Sequence, residues 1–520
     1  MEFTGRSWVR TIVKHPLFPG LAQGAALVVF GGLILLGWNF HAIRGIDVPD
    51  PLVYTNINTL FFWVIWLMGL ILLVPLVGRL WCTICPLGLV NELATRVGAQ
   101  LRWPARLRNF WPAALLLVFY NVLVAVYRIN HYPDYSSRLL LGVLLMVVAV
   151  GLLFKGRIFC GYLCPMGAMV GVYSRVSPWR LEVRSREVCR ACQTKDCYLG
   201  VTRGFSLTTP LFRFSFPFRR PGCQVDLFPP ELVEDPRCVM CTQCIKNCPV
   251  DNIRWGSRPF LGGVASRAVP RASEAVFILF LAGATMGIFT RVWPGLNSLI
   301  TTPGVWAASL IPGLPRGMTA GIAFFWSFGL VTLAGGGLLA LLAHLLGSSR
   351  LARLPDPLPE DFRASFSFGL TQREEDRVRE AEGWGAVRRR PGGIFSAFTL
   401  AFVPLILGAH AAFALIKVNE KLLYLPGALR DPTGVKLYLA IHKLGMMAVP
   451  REVVPLAAIR WISLALVAVG AAASLVSVGR IARLHYGDDP PLARWGTAVY
   501  GGAVLCLGTL WVVLVVKWLF

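Results

Sequence analysis

The chain has 520 residues, 55% of them hydrophobic and only 15% charged, with a mean hydropathy of +0.60. That balance excludes a large soluble core and describes a polytopic α-helical membrane protein. The net charge of +24 raises nucleic acid as a partner, but no Arg-rich stripe with interleaved aromatics accompanies it. Basic loops held on the cytoplasmic side of a membrane are the plainer cause.

The N-terminus is basic (Arg6, Arg10, Lys14), and no small-residue cleavage motif follows its apolar stretch, so the stretch reads as a retained first span. Apolar length predicts about nine spans, near 20–40, 58–80, 110–128, 138–156, 273–293, 321–347, 394–418, 456–480 and 495–519. Lys and Arg place the N-terminus and residues 79–108 (Arg79, Arg96, Arg102, Arg106 and Arg108 against Glu92) inside. The loops near 41–57 and 129–137 hold little positive charge beyond Arg44 and fall outside. Residues 174–272 hold no span and 16 Lys or Arg against 8 Asp or Glu. They are expected to form an inserted cytoplasmic α+β domain between a four-span unit, 1–173, and a five-span region, 273–520. Residues 348–393, with Arg388, Arg389 and Arg390, form another inside loop. Segment 419–455 falls outside by count yet carries Lys421, Arg430, Lys436, Lys443 and Arg451. Either it is a surface helix with acidic contacts, or one span is miscounted.

An internal repeat lies in the first four spans. One copy reads Gly78-Arg79-Leu80-Trp81-Cys82-Thr83-Ile84-Cys85-Pro86-Leu87-Gly88, and the other Gly156-Arg157-Ile158-Phe159-Cys160-Gly161-Tyr162-Leu163-Cys164-Pro165-Met166-Gly167. Each follows a helical pair that begins and ends inside, so the repeat is parallel and both Cys pairs finish at the inner leaflet.

Twelve of the 13 cysteines lie between Cys82 and Cys248 in tight groups, a pattern of metal ligation and not of disulfides; Cys506, alone in an apolar run, reads as packing. Cys238, Cys241, Cys244 and Cys248 stand at C-x2-C-x2-C-x3-C before Pro249, the ferredoxin run for a cubane iron–sulfur cluster. Zinc would not need a third Cys at this spacing followed by Cys-Pro. A second set is Cys189-x2-Cys192-x4-Cys197, then Cys223. In a two-cluster ferredoxin each three-Cys group takes its fourth ligand from the other. The expected [4Fe-4S] ligand sets are therefore Cys189, Cys192, Cys197 and Cys248 for one cluster, and Cys223, Cys238, Cys241 and Cys244 for the other. The x4 gap, the absence of proline after Cys223 and the long Cys197–Cys223 interval depart from the pattern. Cys82, Cys85, Cys160 and Cys164 are expected to meet as a third metal centre, with an iron–sulfur cluster, iron alone, zinc and Cu(I) all open.

Residues roughly 60–256 resemble the NapH/NosR-type membrane polyferredoxins on these paired Cys-Pro motifs and the two-cluster Cys runs. The resemblance implies a cytoplasmic two-cluster domain on a membrane unit that moves electrons from quinol toward respiratory reductases. Cys160-x3-Cys164-Pro165 matches the motif, and Cys82-x2-Cys85-Pro86 is one residue short. No large outside flavin domain precedes the spans, and the last five spans have no counterpart in the family.

Among the seven histidines, His41, His344, His410 and His442 are candidates for a haem b or a quinol pocket, weighed against ordinary interfacial or hydrogen-bonded roles. His344 and His410 differ in depth by about 20 Å at helical rise and cannot share one haem. No P-loop, dinucleotide fingerprint or hydrolase triad is present. The sequence thus reads as a subunit of the cytoplasmic (inner) membrane passing electrons between quinol and a soluble or membrane redox partner. The alternatives are a copper or metal reductase serving metalloenzyme assembly, and a structural anchor for redox proteins.

Overall fold

The structure is a computed structural model and describes residues 4–41, 43, 50–208, 213–229, 236–266, 269–290, 293–330, 334–348, 391–487 and 490–519. Among the described residues seven helices are long and apolar enough to cross a membrane: Gly20–Gly37, Ile57–Val77, Pro133–Leu153, Ala272–Phe289, Gly393–Arg430, Leu456–Tyr486 and Pro490–Leu519. Each coincides with an expected span. The other two expected spans fall on shorter apolar helices, Trp111–Tyr127 and Gly336–Leu345. Trp111–Tyr127 has 17 residues, a rise of about 26 Å against a hydrocarbon core of about 30 Å. The left-handed Arg128 (φ 49°) ends this helix, within one residue of the expected end of the span. Most of the expected inside loop 348–393, with Arg388, Arg389 and Arg390, lies outside the described residues.

The chain divides into two compact units, Met1–Gly263 with Phe413–Ile459, and Val264–Ala412 with Arg460–Phe520. In the first unit, the helices Gly20–Gly37, Pro86–Val97 and Pro133–Leu153 pack on one another, burying Phe30, Ile34, Leu87, Leu140, Val147 and Phe159 in one core. Segment 419–455, uncertain from sequence, forms the short helices Leu425–Arg430 and Val435–His442. Their Ala428, Leu437 and Ile441 pack with Leu33, Ile57, Leu60 and Val64. Lys421 lies 4.3 Å over the Tyr54 ring. Ile57 N–H, an orphan donor at the start of its helix, donates to Pro432 O at 3.1 Å.

The segment 174–263 is anchored at its two ends by one antiparallel strand pair, Trp179–Val183 with Ile253–Ser257, in register from Trp179↔Ser257 to Val183↔Ile253. A second hairpin, Gly200–Thr208 with Arg213–Pro221, fills the interval between Cys197 and Cys223 and turns the chain back on itself. At its base Cys223 N–H donates to Tyr198 O at 3.2 Å. The N-terminal helix Ser7–Lys14 packs Val9 and Val13 into the same core as Leu181, Ile245, Ile253 and Trp255. Its Lys14 pairs with Asp251 at 2.6 Å, and Arg10 pairs with the same carboxylate.

In the second unit the helices approach closely through glycine. A Cβ on Gly408 would lie 2.5 Å from Leu466 O, and one on Gly470 would lie 2.7 Å from Pro404 O, the small-residue packing of membrane helices. Phe398 stacks on Tyr500 at 4.6 Å.

Candidate functional site

The two repeat copies build the same turn from different backbones. In the first, Gly78 (φ 59°) ends the Ile57–Val77 helix. A single short helix, Leu80–Ile84, then carries Cys82, and Cys85 is extended before Pro86 opens the next helix. Proline suits that first position, where its missing N–H would have no intrahelical partner. In the second copy Gly156 (φ 87°) follows Pro133–Leu153, and a Cβ there would lie 2.4 Å from Gln224 O. Cys160 then sits in a π-helical turn, Phe159–Leu163, with Cys164 N–H donating to Phe159 O at 2.8 Å. A π turn holds one residue more than an α turn. The second copy thus absorbs its additional residue in the turn, and both second cysteines precede a proline-led helix in extended conformation.

Each copy's arginine reaches the Cys-Pro-x-Gly turn of the other. Arg79 Nη2 donates to Gly167 O, and its Nη1 donates to Pro236 O and, at 3.0 Å, to Cys238 O. Arg157 donates from Nη2 and Nε to Glu92 Oε2 at 2.6 and 3.2 Å, and its Nη1 would lie 2.9 Å from a Cβ on Gly88. Both arginines are buried, Arg157 to 1% exposure, and Arg157 Nη1 has no hydrogen-bond partner among the described residues. The Gly-Arg pairs were visible in the repeat, but an arginine at a membrane exit reads as a topology signal, which hid their structural use.

The structure brings the four membrane-side cysteines together. Cys160 lies among Cys85, Cys164, Cys82 and Arg157, and Cys85 among Cys82 and Cys164. Cys164 Sγ accepts from Gly167 N–H at 3.2 Å.

The other eight fall into two groups. Cys197 neighbours Cys248, Cys189 and Cys192; burial first, then those three, push its thiol up to about 12. Burial also raises the Cys189 thiol, against a hydrogen bond from Asn252. Asn252 ties this group: its Nδ2 donates to Cys189 Sγ at 3.1 Å and its backbone N–H to Cys248 Sγ at 3.2 Å. Cys223 neighbours Cys241 and Cys238, its thiol raised chiefly by burial, and Leu227 N–H donates to its sulfur at 3.2 Å. Cys244 stands beside Cys241, Cys238, Cys223 and, across to the other group, Cys197; burial leads in raising its thiol. The hairpin returns Cys223 to this place despite its distance in sequence.

The three groups are contiguous. Cys82 and Cys160 pack on the apolar cluster Val225, Leu227, Val239 and Cys241, which Cys223 and Cys238 also touch. Cys197 and Cys244 share the next cluster with Met240 and Ile245, against which Cys238 and Cys248 pack.

This donor set fits iron–sulfur clusters. Buried and half-buried thiols in fours, with Cys164, Cys189, Cys223 and Cys248 accepting N–H bonds, match cluster ligation, in which hydrogen bonds to sulfur tune the potential.

Each histidine candidate has its own surroundings. His41 Nδ1 lies 3.0 Å from Asp134 Oδ1 and its ring stacks on Tyr132 at 4.3 Å. His442 is exposed beside Tyr438. His344 is exposed on the Gly336–Ser348 helix, and His410 lies on Val403–Lys421.

Comparison with known proteins points the same way. A family model described as "4Fe-4S binding domain" matches residues 59–109 and 138–184, the two repeat copies. A protein of Escherichia coli (strain K12) named provisionally for electron transport, YccM, is 28% identical over 215 residues, 35% of this chain and 52% of its own. The methylamine utilization ferredoxin-type protein MauN of Methylorubrum extorquens is 30% identical over 129 residues, 22% of this chain and 45% of its own. The chain thus spans about half the length of these curated relatives. No solved structure matches. The two matched stretches are those of a 4Fe-4S binding domain, the chain is similar to proteins named for electron transport and as ferredoxin-type, and its apolar helices suit a multi-pass membrane protein.

Proposed function

We propose that the chain passes electrons between membrane quinol and a redox partner through three iron–sulfur centres in series. The observation that carries this reading is the unbroken contact of the three cysteine groups. Cys82, Cys85, Cys160 and Cys164 would hold the first centre. Cys223, Cys238, Cys241 and Cys244 would hold the second, and Cys189, Cys192, Cys197 and Cys248 the third. A bound cubane takes up and releases one electron at a time. The chain's part is to bury the thiols, point N–H groups at sulfur, and keep the groups in file. By the basic balance of residues 174–272, the outer two groups face the cytoplasm of the inner membrane, where Lys and Arg would steer an acidic carrier.

A cavity of about 350 Å³ between Trp111–Tyr127 and Pro133–Leu153 supports the quinol end. Its lining includes Tyr120, Tyr127, Tyr135, Arg138, Gly142 and Met146, an apolar wall with a few polar groups, as small-molecule sites have. The Tyr120 hydroxyl, buried and without a hydrogen-bond partner among the described residues, neighbours Cys164. A quinol ring lodged here would face the first centre, and no histidine or haem is required.

The test is anaerobic purification with iron and sulfide analysis, then reduction by decylubiquinol and by menadiol. Three cubanes require about twelve iron per chain, and about eight would remove the membrane centre. Gly142 lines the cavity and a Cβ there meets nothing within 4 Å, so Gly142→Phe is the variant chosen to fill it. It should slow reduction by quinol at least tenfold and leave reduction by dithionite unchanged. Equal quinol rates in the two proteins would move the quinol site elsewhere.

A further inference from the structure

We infer that Arg157, offset by Glu92, sets the reduction potentials of the two centres on either side of it, at Cys82, Cys85, Cys160 and Cys164 and at Cys223, Cys238, Cys241 and Cys244. The inference rests on the assignment of clusters to those cysteines. It makes Arg157 and Glu92 positioning residues that act through the field at the sulfurs.

Position comes first. Arg157 is three residues before Cys160, directly after the positive-φ Gly156, and its neighbours include both Cys160 and Cys241. One buried guanidinium therefore stands between the membrane-side group and the next. Arginine does not shed its proton in a protein, so the charge is permanent. In a buried place it acts at lower dielectric than at a surface. An electron added to either neighbouring centre is attracted by it, which raises the potential. The unpartnered Nη1 adds a donor in the same place.

Glu92 opposes this. Its Oε2 takes both bonds from Arg157, and its Oε1 faces Arg96, an exposed residue, at 3.2 Å. The corresponding Arg79 binds Gly167, Pro236 and Cys238 through carbonyls. The repeat therefore carries an arginine in both copies, and Glu92 offsets the charge on the Arg157 side. The bland alternative is that Arg157 and Glu92 only pin one copy to the other. A pin predicts that losing either partner has the same kind of effect. A field predicts opposite effects.

The experiment is an EPR-monitored redox titration of the purified full chain: wild type, Glu92→Gln, Arg157→Gln and Arg157→Lys. Glu92→Gln should raise the potentials of the two adjoining centres, and Arg157→Gln should lower them. Arg157→Lys, which keeps the charge, should stay nearer wild type. The expected size is a tenfold change in the ratio of oxidised to reduced centre at fixed ambient potential, about 59 mV for one electron. The centre at Cys189, Cys192, Cys197 and Cys248 serves as the internal control and should move far less. Shifts of one sign in both variants, equal shifts in all three centres, or no shift would overturn the inference. If Arg157→Gln fails to assemble, Glu92→Gln, nearly isosteric, still decides by its sign. A wild type with no centre at the membrane cysteines would instead sink the cluster assignment, a failure visible in iron content before any titration.

Discussion

Arg79 Nη2, from the first repeat copy, donates to the carbonyl oxygen of Gly167 in the second. The same guanidinium holds Pro236 O and Cys238 O at the entrance to the ferredoxin run. One side chain, 4% exposed, therefore joins both copies and the next cysteine group.

Arg79→Ala leaves three carbonyls short of a donor, at roughly 1–3 kcal/mol for each one that stays buried. Iron content should fall at the two groups this arginine joins, and the group tied by Asn252 should survive longest. EPR of the purified variant resolves which centre is lost. A variant that keeps all its iron would show the clamp to be dispensable.

Cys248 lies beside Pro249 in the ferredoxin run but neighbours Cys197 and Cys189 in space. Cys248→Ala should remove the centre of Cys189, Cys192 and Cys197 and spare that of Cys238, Cys241 and Cys244. Asn252→Ala, which takes the Nδ2 donor from Cys189, should retain the same centre and lower its potential. Selective loss of the other centre in Cys248→Ala would refute the crossed assignment.

Glu92 supplies a pH signature. Burial alone would raise its carboxyl, but the charge and hydrogen bonds of Arg157, helped by Arg96, outweigh that and hold it below its ordinary value. A carboxyl lowered on folding contributes stability above its unfolded pKa, near about 4.3, and loses that contribution as the pH falls through the folded value. Thermal midpoints in detergent should therefore fall more steeply below about pH 4 in wild type than in Glu92→Gln. Parallel curves would mean that the pair contributes nothing to the acid limb.

Reporter fusions test the orientation read from Lys and Arg. Fusions near residue 220 and within 348–393 should report the cytoplasm, and fusions near 50 and 310 the outside. An outside signal near 220 would overturn the placement of the two cluster groups.

The ferredoxin run was legible because Cys238, Cys241, Cys244 and Cys248 lie within one short stretch, where spacing alone constrains geometry. Cys223 was harder. Its place depends on a hairpin whose function is to bring the chain back, and a long interval in sequence says nothing of a short one in space. The nine expected spans were read from apolar length, and among the described residues seven fall on helices long enough to cross a membrane and two on shorter apolar ones. Glu92 looked like a lone acid in a basic loop and became the partner of a buried arginine only through a contact between residues 65 apart in sequence. Tyr120 had no distinguishing signal in an apolar helix.

The π turn at Phe159–Leu163 makes the two copies alike in outcome and different in phase. A residue advances an α-helix by about 100°. Trimming Gly161 to imitate the shorter C-x2-C spacing would therefore rotate everything from Tyr162 to Pro165 by roughly that angle unless the turn relaxed to α. It would also change the contact at Gly161, where a Cβ would lie 2.8 Å from Val225 Cγ1. The duplicated halves are thus interchangeable in neither direction: each spacing is tied to its own backbone, and a chimera carrying one half twice should fail to close its ring of four thiols.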